Sequence, residues 1–347
     1  MRKNFIAAAV LIGSVFLTGC GNQNQGGTVP TASTETGGGQ HAFVFLNTGN
    51  PFGDRMQDGF QYVIEGAGGE AILLAPALPT AEGQIQIVEQ LIAQQVDSIT
   101  IAGNDFDALQ PVLSIAMNQG IKVLSVDAAV NHNSRMVHVN QANPQMIGQV
   151  LVEGISELLS GEGEFAILSA TSQAPNQNLW IEYMQYFLAM PEFSGLDLVR
   201  IAFGDDLRDR SVSETEALLL TYPNLRGIVA PTTVGIAAAS LVITDNDLIG
   251  EVYVTGLGLP SEMAAYIYNG ASPFMYLWNP IEVGEAAGHT ALALVNGTIT
   301  GAVGDSFYAG GVFGILEIIP DGEGTQVMLG EPFRFDIDNI DFWKEVY

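Results

Sequence analysis

Cysteine and positive charge are the two properties that this sequence has least of. Cys20 is the one cysteine among 347 residues, so a disulfide within the chain is excluded. The four histidines show no metal-ligand spacing, and we therefore predict no metal site. Lys and Arg number 11 against 38 Asp and Glu, for a formal net charge of −27. Because so acidic a surface repels phosphate backbones, we expect no nucleic-acid partner.

Motifs of several enzyme classes are missing as well. The sequence has no P-loop and no G-x-S-x-G nucleophile elbow. Gly256-Leu257-Gly258 begins like a dinucleotide-binding loop, but Ser261 stands where the third glycine is needed, with Pro260 just before it. The sequence therefore predicts no cofactor and favours a protein that is not an enzyme.

The N-terminal segment has the pattern of a secretory signal peptide, which we place at residues 1–20. Arg2 and Lys3 precede an apolar run over residues 5–16, and the segment ends in Leu-Thr-Gly-Cys at Cys20. This ending resembles the lipobox of bacterial lipoproteins, in which the cysteine becomes the lipidated N-terminus. The alternative is an ordinary signal peptide with an incidental cysteine. The pattern predicts an extracytoplasmic protein held at the membrane only through a lipid on Cys20.

Residues 21–40 hold almost no side chain large enough to pack, which is typical of a flexible tether. The remaining chain of roughly 300 residues is long enough for two domains. None of its apolar runs is long enough to span a bilayer.

Short apolar runs alternate with helical patterns along the rest of the chain. Because the runs do not alternate between polar and apolar residues, they indicate parallel strands buried on both faces. The predicted strands are residues 41–46, 71–74, 98–102, 122–126, 136–139, 164–169, 198–203, 227–230, 252–257 and 274–278, with strand-like pieces at 312–319 and 326–329. The predicted helices are residues 52–66, 80–95, 107–120, 144–159, 176–190, 211–222, 234–243, 261–269 and 280–296. The fold class is therefore α/β, with two doubly wound, Rossmann-like parallel sheets.

Polar and aromatic side chains follow the predicted strands. Ligands of open α/β sheets bind at the carboxyl ends of the strands, and the cleft between the two halves is the expected site. Asp127, after strand 122–126, is the central carboxylate. Amides, hydroxyls, one carboxylate and aromatic rings suit a neutral polyol, whose hydroxyls donate and accept. The candidates at strand ends are Asn47, Asn50, Asp127, Asn140, Gln141, Thr171, Asn176, Gln177, Pro231, Thr232, Thr233, Trp278 and Asn279.

Several segments resemble a known family. AFVFLNTGNPFGDRMQDGFQ, from Ala42, is similar to the start of the type I sugar-binding proteins of bacterial ABC transporters. VNQANPQMIGQVLVE from Val139, SATSQAPNQNLW from Ser169, LWNP from Leu277 and GEPFRFDIDNID near the end resemble its rhamnose-binding and autoinducer-2-binding branch.

The resemblance implies the type I periplasmic-binding-protein fold, in which two similar domains are joined by three crossovers. It places the crossovers near Asn140, near Trp278–Asn279 and around Gly310. The implied N-terminal domain is 41–140 plus 280–310, and the C-terminal domain is 141–279 plus 311–347. The implied partners are a monosaccharide, clamped between the domains by hinge closure, and the permease of an ABC transporter. We expect a monomer.

The resemblance also assigns roles to residues. Asp127 matches a carboxylate that accepts hydrogen bonds from ligand hydroxyls. Asn176 and Gln177 match an Asn-Gln pair of the rhamnose-type proteins, where the autoinducer-2 binders have Asp-Gln. Pro231 and Thr233 match a backbone carbonyl and a neighbouring contact. The implied walls of the site are Trp278 and Phe52.

One departure decides between two ligands. The branch commonly carries a lysine after the first strand, where this chain has Leu46, Asn47 and Thr48. A site built for a particular group discriminates strongly when the partner of that group is missing. We therefore favour a rhamnose-like monosaccharide, with an autoinducer-2 receptor as the alternative. Ribose is disfavoured, because Ala128 follows Asp127 in place of a pentose-clamping arginine.

Other readings remain open at this stage. A secreted sugar-modifying enzyme would reveal itself by turnover of its ligand. A transcriptional repressor is excluded by the signal peptide, the acidity and the lack of a helix-turn-helix. Asp127 and Asn176 could be turn or helix-cap residues. Asn47 and Asn50 could shape a turn only, and Phe52 and Trp278 could be core residues.

Overall fold

The computed structural model describes residues 38–347. The predicted signal peptide, Cys20 and nearly all of the predicted tether lie outside these residues. The described chain is built on two separate, largely parallel sheets covered by helices, which confirms the predicted α/β fold class.

The first lobe is organised around parallel strands that run in the order β5-β4-β3-β1-β2. Strand β3 is buried throughout because it has a neighbouring strand on each side and helices above and below. Its elements are, in chain order, β1 (Gln40–Val44), α1 (Pro51–Gly66), β2 (Glu70–Leu74), α2 (Ala81–Gln94), β3 (Ser98–Ile101), α3 (Gln110–Asn118), β4 (Lys122–Val126) and β5 (His138–Asn140).

The second lobe repeats this construction with the strand order β7-β6-β8-β9. A single bridge from Leu257 to Tyr276 then joins β10 to the end of β9. The elements are α4 (Pro144–Leu159), β6 (Gly163–Ser169), α5 (Pro175–Leu188), β7 (Leu196–Phe203), α6 (Arg208–Thr221), β8 (Leu225–Ala230), α7 (Thr233–Asp245), β9 (Tyr253–Gly256), α8 (Pro260–Asn269) and β10 (Phe274–Leu277).

Helix α9 (Pro280–Val295) returns to the first lobe and packs against α1. Two glycines allow the backbones of α1 and α9 to come into direct contact. A Cβ on Gly284 would overlap the carbonyl oxygen of Met56, and one on Gly59 would overlap the carbonyl oxygen of Ile281. The second connection between the lobes is therefore anchored by a helix pair that has no room for side chains at these points.

The C-terminal segment contributes strands to both lobes. Its elements are β11 (Ser306–Gly310), β12 (Gly314–Glu317), β13 (Ile319–Asp321), β14 (Gly324–Met328), β15 (Phe333–Asp336) and α10 (Ile340–Trp343). Strands β11 and β12 form a separate hairpin. Strand β14 pairs in parallel with β5 and carries β13 at its outer edge, whereas β15 pairs antiparallel with β10.

The predicted assignment of residues 311–347 to the second domain is therefore wrong for β13 and β14. Strand β5 leaves an edge of the first sheet whose peptide groups need partners, and β14 supplies them. The third connection between the lobes consequently lies between Met328 and Phe333, and not near Gly310.

The three connections run side by side. They follow Asn140, Leu277 and Met328, and the backbone N–H of Asn143 donates to the carbonyl of Gly330 at 3.0 Å, which ties the first to the third. Among the helices of residues 38–347, none combines the length and the apolar character that crossing a membrane requires.

Candidate ligand-binding cleft

A small cavity lies between the lobes. Its walls come from the carboxyl ends of strands in both sheets, from the starts of helices α1, α5 and α7, and from β10. The lining residues are Phe45, Leu46, Asn50, Phe52, Asp127, Asn176, Gln177, Trp180, Asp206, Pro231, Thr232, Thr233, Leu257, Leu277 and Trp278. Eight of the nine ligand-binding residues predicted from the sequence are in this set, and Asn47 is not.

Asp127 lies directly after β4 with a left-handed backbone (φ 58°) and an exposed fraction of 5%. Asn176 Nδ2 donates to its Oδ2 at 3.1 Å. Burial, followed by the charge of Asp206, raises the pKa of Asp127 to about 7, although the hydrogen bond from Asn176 opposes the shift. The carboxylate is thus held without a neutralising cation, and it needs hydrogen-bond donors.

Asp206 is a second carboxylate in the cavity, and our sequence-based prediction missed it. It follows β7 in the turn Gly204-Asp205-Asp206 and is 8% exposed. The hydroxyl of Thr232 donates to its Oδ1, and Asn50 Nδ2 donates to its Oδ2 at 3.3 Å. Burial raises its pKa, as for Asp127. Its position at a strand end was the signal that could have identified it.

The hydrogen bonds of the two carboxylates cross between the lobes. Asn176 of the second lobe donates to Asp127 of the first lobe, and Asn50 of the first lobe donates to Asp206 of the second. We call these two bonds the reciprocal Asn–Asp pairs. They hold the two lobes together across the cavity.

The amides of the site have several different partners. Asn50 is the N-cap of α1, accepting from the N–H groups of Phe52 and Gly53, so it shapes the turn and lines the cavity as well. Gln177 Oε1 accepts from the Ser169 hydroxyl at 2.8 Å and from the Ala170 N–H at 2.7 Å. These bonds orient the side chain and leave its Nε2 donor as the group that a ligand can use.

Two asparagines decide questions that the sequence left open. Helix α5 has Ala174 at its N-cap position, without a side-chain hydrogen bond, so Asn176 is not the cap of this helix. Asn47 is buried outside the cavity lining, with its Nδ2 donating to the carbonyl of Thr48 at 3.2 Å. Its side chain therefore lies in the turn after β1 and outside the lining of this cavity.

Aromatic rings form the apolar wall of the cavity. Trp278 meets Phe52 edge-on with ring centroids 6.2 Å apart and Trp180 with centroids 5.7 Å apart. The sequence-based prediction included Phe52 and Trp278 but missed Trp180. One turn of α5 separates Trp180 from Gln177, and this helical spacing was the available signal.

The second lobe completes the site with the start of α7. Thr232 is its N-cap and accepts from the N–H of Gly235 at 3.4 Å. Pro231 and Thr233 lie on either side of it and line the cavity, as the sequence predicts.

The lining contains two aspartates and no Lys, Arg or His. Such a surface favours neutral or cationic ligands with hydrogen-bond donors and disfavours anions such as sugar acids. In residues 38–347 no group of three or more His, Cys, Asp or Glu side chains could hold a metal ion.

The described chain has two α/β lobes, three side-by-side connections and a buried polar cavity between the lobes. This arrangement defines a class of protein that encloses a small solute. Residues 41–299 match the family described as "Periplasmic binding protein domain", and the chain belongs to this family. Its members are extracytoplasmic substrate-binding proteins of transport systems and not enzymes.

Three known proteins illustrate the range of the similarity. An ABC transporter solute-binding protein from Clostridium phytofermentas, solved with bound L-rhamnose, is 45% identical, with a TM-score of 0.87 over 89% of this chain and 99% of that one. LsrB from Clostridium saccharobutylicum in complex with AI-2 is 21% identical, with a TM-score of 0.81 over 87% of this chain and 98% of that one. A D-ribose/D-allose-binding protein of Pseudomonas aeruginosa is 22% identical over 72% of this chain and 80% of its own length.

Proposed function

We propose that this protein is the lipid-anchored receptor of an ABC transporter and that its ligand is a rhamnose-like monosaccharide. The observation that carries the proposal is the pairing, in one cavity, of a buried carboxylate without a cation and an aromatic wall. Asp127 accepts from hydroxyl groups, and the rings of Trp278, Trp180 and Phe52 pack against C–H and methyl groups. A 6-deoxyhexose offers both kinds of surface. The L-rhamnose-bound relative supports the same ligand.

We infer a mechanism of hinge closure, because the walls of the cavity come from both lobes. A sugar bound to one lobe alone gains only part of its contacts, so its binding free energy favours the closed arrangement. The three parallel connections provide the hinge. Closure presents a sugar-loaded surface to the permease, and a monomer is sufficient for this role.

Autoinducer-2 is the ligand of the alternative proposal. Of Leu46, Asn47 and Thr48, which stand where that branch commonly has a lysine, Leu46 lines the cavity and has an aliphatic side chain. The site therefore has no cation there to hold that ligand, which favours the sugar.

Ligand identity is tested by thermal unfolding of the purified protein against L-rhamnose, other deoxyhexoses, pentoses, hexoses, polyols and autoinducer-2. A ligand at about a hundred times its Kd adds about 2.7 kcal/mol of stability, which raises Tm by a few degrees. We expect this shift with L-rhamnose or a similar sugar. A shift with autoinducer-2 alone would establish the signal receptor in its place.

Lipid anchoring is a separate part of the proposal and rests on the Leu-Thr-Gly-Cys ending at Cys20. We expect the protein produced in a bacterial host to sediment with membranes and to incorporate labelled palmitate. Cys20→Ala should abolish the labelling. Unchanged labelling in this variant would contradict the anchor.

A further inference from the structure

We infer that Asp206 is a second ligand-binding carboxylate and that it and Asp127 together select a ligand with one hydroxyl donor for each lobe. The inference rests on the proposed function, since it assigns a specificity-determining residue within the same sugar site. Nothing in the motifs that identify the branch points to Asp206.

The hydrogen bonds of Asp206 leave part of its acceptor capacity unused. Each carboxylate oxygen has about two lone-pair positions. Thr232 occupies one on Oδ1, and Asn50 occupies one on Oδ2 through a long bond of 3.3 Å. Asp206 lines the cavity, so hydroxyl groups of a bound sugar can reach the positions that remain.

A purely structural role does not explain the charge of Asp206. Thr232 and Asn50 each donate one neutral hydrogen bond to Asp206, and neither offsets the cost of burying a carboxylate as a cation would. Arg210, in the first turn of α6, pairs with Asp205 and not with Asp206. The buried charge is therefore left for a donor that only a ligand brings.

The reciprocal Asn–Asp pairs explain why two carboxylates are useful. Asp127 and Asp206 belong to different lobes and come to one cavity only when the lobes are together. A sugar that donates to both is bound by both lobes, and its binding free energy then depends on closure. A sugar that lacks one of the two hydroxyls contacts one carboxylate only and leaves the other buried without its donor.

The test measures the affinity of the full protein for L-rhamnose and for its 2-, 3- and 4-deoxy analogues by calorimetry. The variants are Asp206→Asn, Asp127→Asn and the matched control Asp205→Asn. Asp205, Asp206 and Asp127 all have positive φ, which asparagine adopts readily. If Asp206→Asn does not fold, Asp206→Gly serves instead, because glycine also accepts this backbone.

We expect Asp206→Asn to weaken L-rhamnose binding by roughly ten- to a hundredfold, the size typical of a hydrogen bond to a charged group. The deoxy analogue that lacks the hydroxyl donating to Asp206 should bind weakly to the wild type. Asp206→Asn should reduce the affinity for this analogue little further, whereas Asp127→Asn should still reduce it. Asp205→Asn should change the affinity by less than about twofold, because its carboxylate faces Arg210.

Three outcomes overturn the inference. Wild-type affinity in Asp206→Asn would show that the sugar does not use this carboxylate. If Asp206→Asn reduced the affinity for L-rhamnose and for every deoxy analogue by the same factor, Asp206 would have a structural role only. If the wild type binds no sugar of the thermal-unfolding panel, the proposed function fails first, and the inference fails with it.

Discussion

At the residue scale, the carboxyl group of Asp127 controls how the site responds to pH. Its folded-state pKa is raised from 3.8 to about 7. As pH rises from about 4 to 7, the unfolded chain loses this proton while the folded protein still holds it, so the free energy of unfolding falls. A sugar hydroxyl that donates to the ionised form has the opposite preference. Ligand-free stability and ligand affinity should therefore change in opposite directions.

We predict that sugar affinity is higher at pH 8 than at pH 5.5, while the ligand-free protein loses stability over the same interval. Calorimetric titration and chemical denaturation at the two pH values measure the two quantities. In Asp127→Asn, the pH dependence of both should be smaller. The same pH dependence in the variant as in the wild type would assign the effect to another group, with Asp206 the first candidate because its pKa is also raised.

The tryptophans provide a second prediction at this scale. Of the three in the chain, Trp180 and Trp278 line the cavity, whereas Trp343 packs against Phe335 and Tyr347. We predict that sugar binding changes the intrinsic fluorescence and that Trp343→Phe retains this change. Trp278→Phe should lose most of it. A signal lost only in Trp343→Phe would place the ligand-induced change outside the cavity.

Most residues of the candidate site could be predicted because strand ends converge in an open α/β sheet. Asp127, Asn50, Pro231 and Thr233 follow from that rule. Trp180 did not follow, because it lies one turn beyond Gln177 in α5 and not at a strand end. Asn47 also follows a strand but lies outside the cavity lining, because strand-end position does not tell which way a turn directs its side chains.

At the element scale, the alternating strands and helices were predictable, but the pairing of the C-terminal strands was not. Helices such as α4 and α9 have sixteen residues each and a clear pattern. The strand-like pieces predicted at 312–319 and 326–329 overlap β12 to β14, but strands of three to five residues carry no signal for the partner they pair with. Their pairing is decided by which sheet edge lies near them. Strand β14 fits beside β5, which is why the third connection was placed too early.

The contact between α1 and α9 gives a prediction for this scale. Gly284→Ala adds a methyl group where the carbonyl of Met56 already lies, so the two helices must separate. We expect a loss of about 1–3 kcal/mol in the free energy of unfolding, as is typical of overpacking. Gly66→Ala, near the end of α1, is the control because no atom lies within 4 Å of its added Cβ. Chemical denaturation of both variants measures the effect, and equal stabilities would contradict the close packing.

At the scale of the whole molecule, the reciprocal Asn–Asp pairs link the chemistry of the cavity to the motion of the lobes. Both pairs join side chains of different lobes, so both break when the cleft opens. Each is one hydrogen bond to a carboxylate, worth roughly 1.5–3 kcal/mol at most. That is enough to hold a sizeable closed population without sugar, and a ligand then shifts the balance further.

We predict that removing both donors, with Asn50→Ala and Asn176→Ala together, opens the ligand-free protein. Small-angle X-ray scattering should give a larger radius of gyration for this double variant than for the wild type. Asn178→Ala is a control on α5, the helix of Asn176, since the side chain of Asn178 donates to the carbonyl of Ser172 within the second lobe.

The loss of the N-cap of α1 in Asn50→Ala costs about 1 kcal/mol of stability. A melting curve must therefore confirm that the double variant is folded at the temperature of measurement. If the folded double variant scatters like the wild type with and without sugar, the lobes are held by their three connections and not by these bonds.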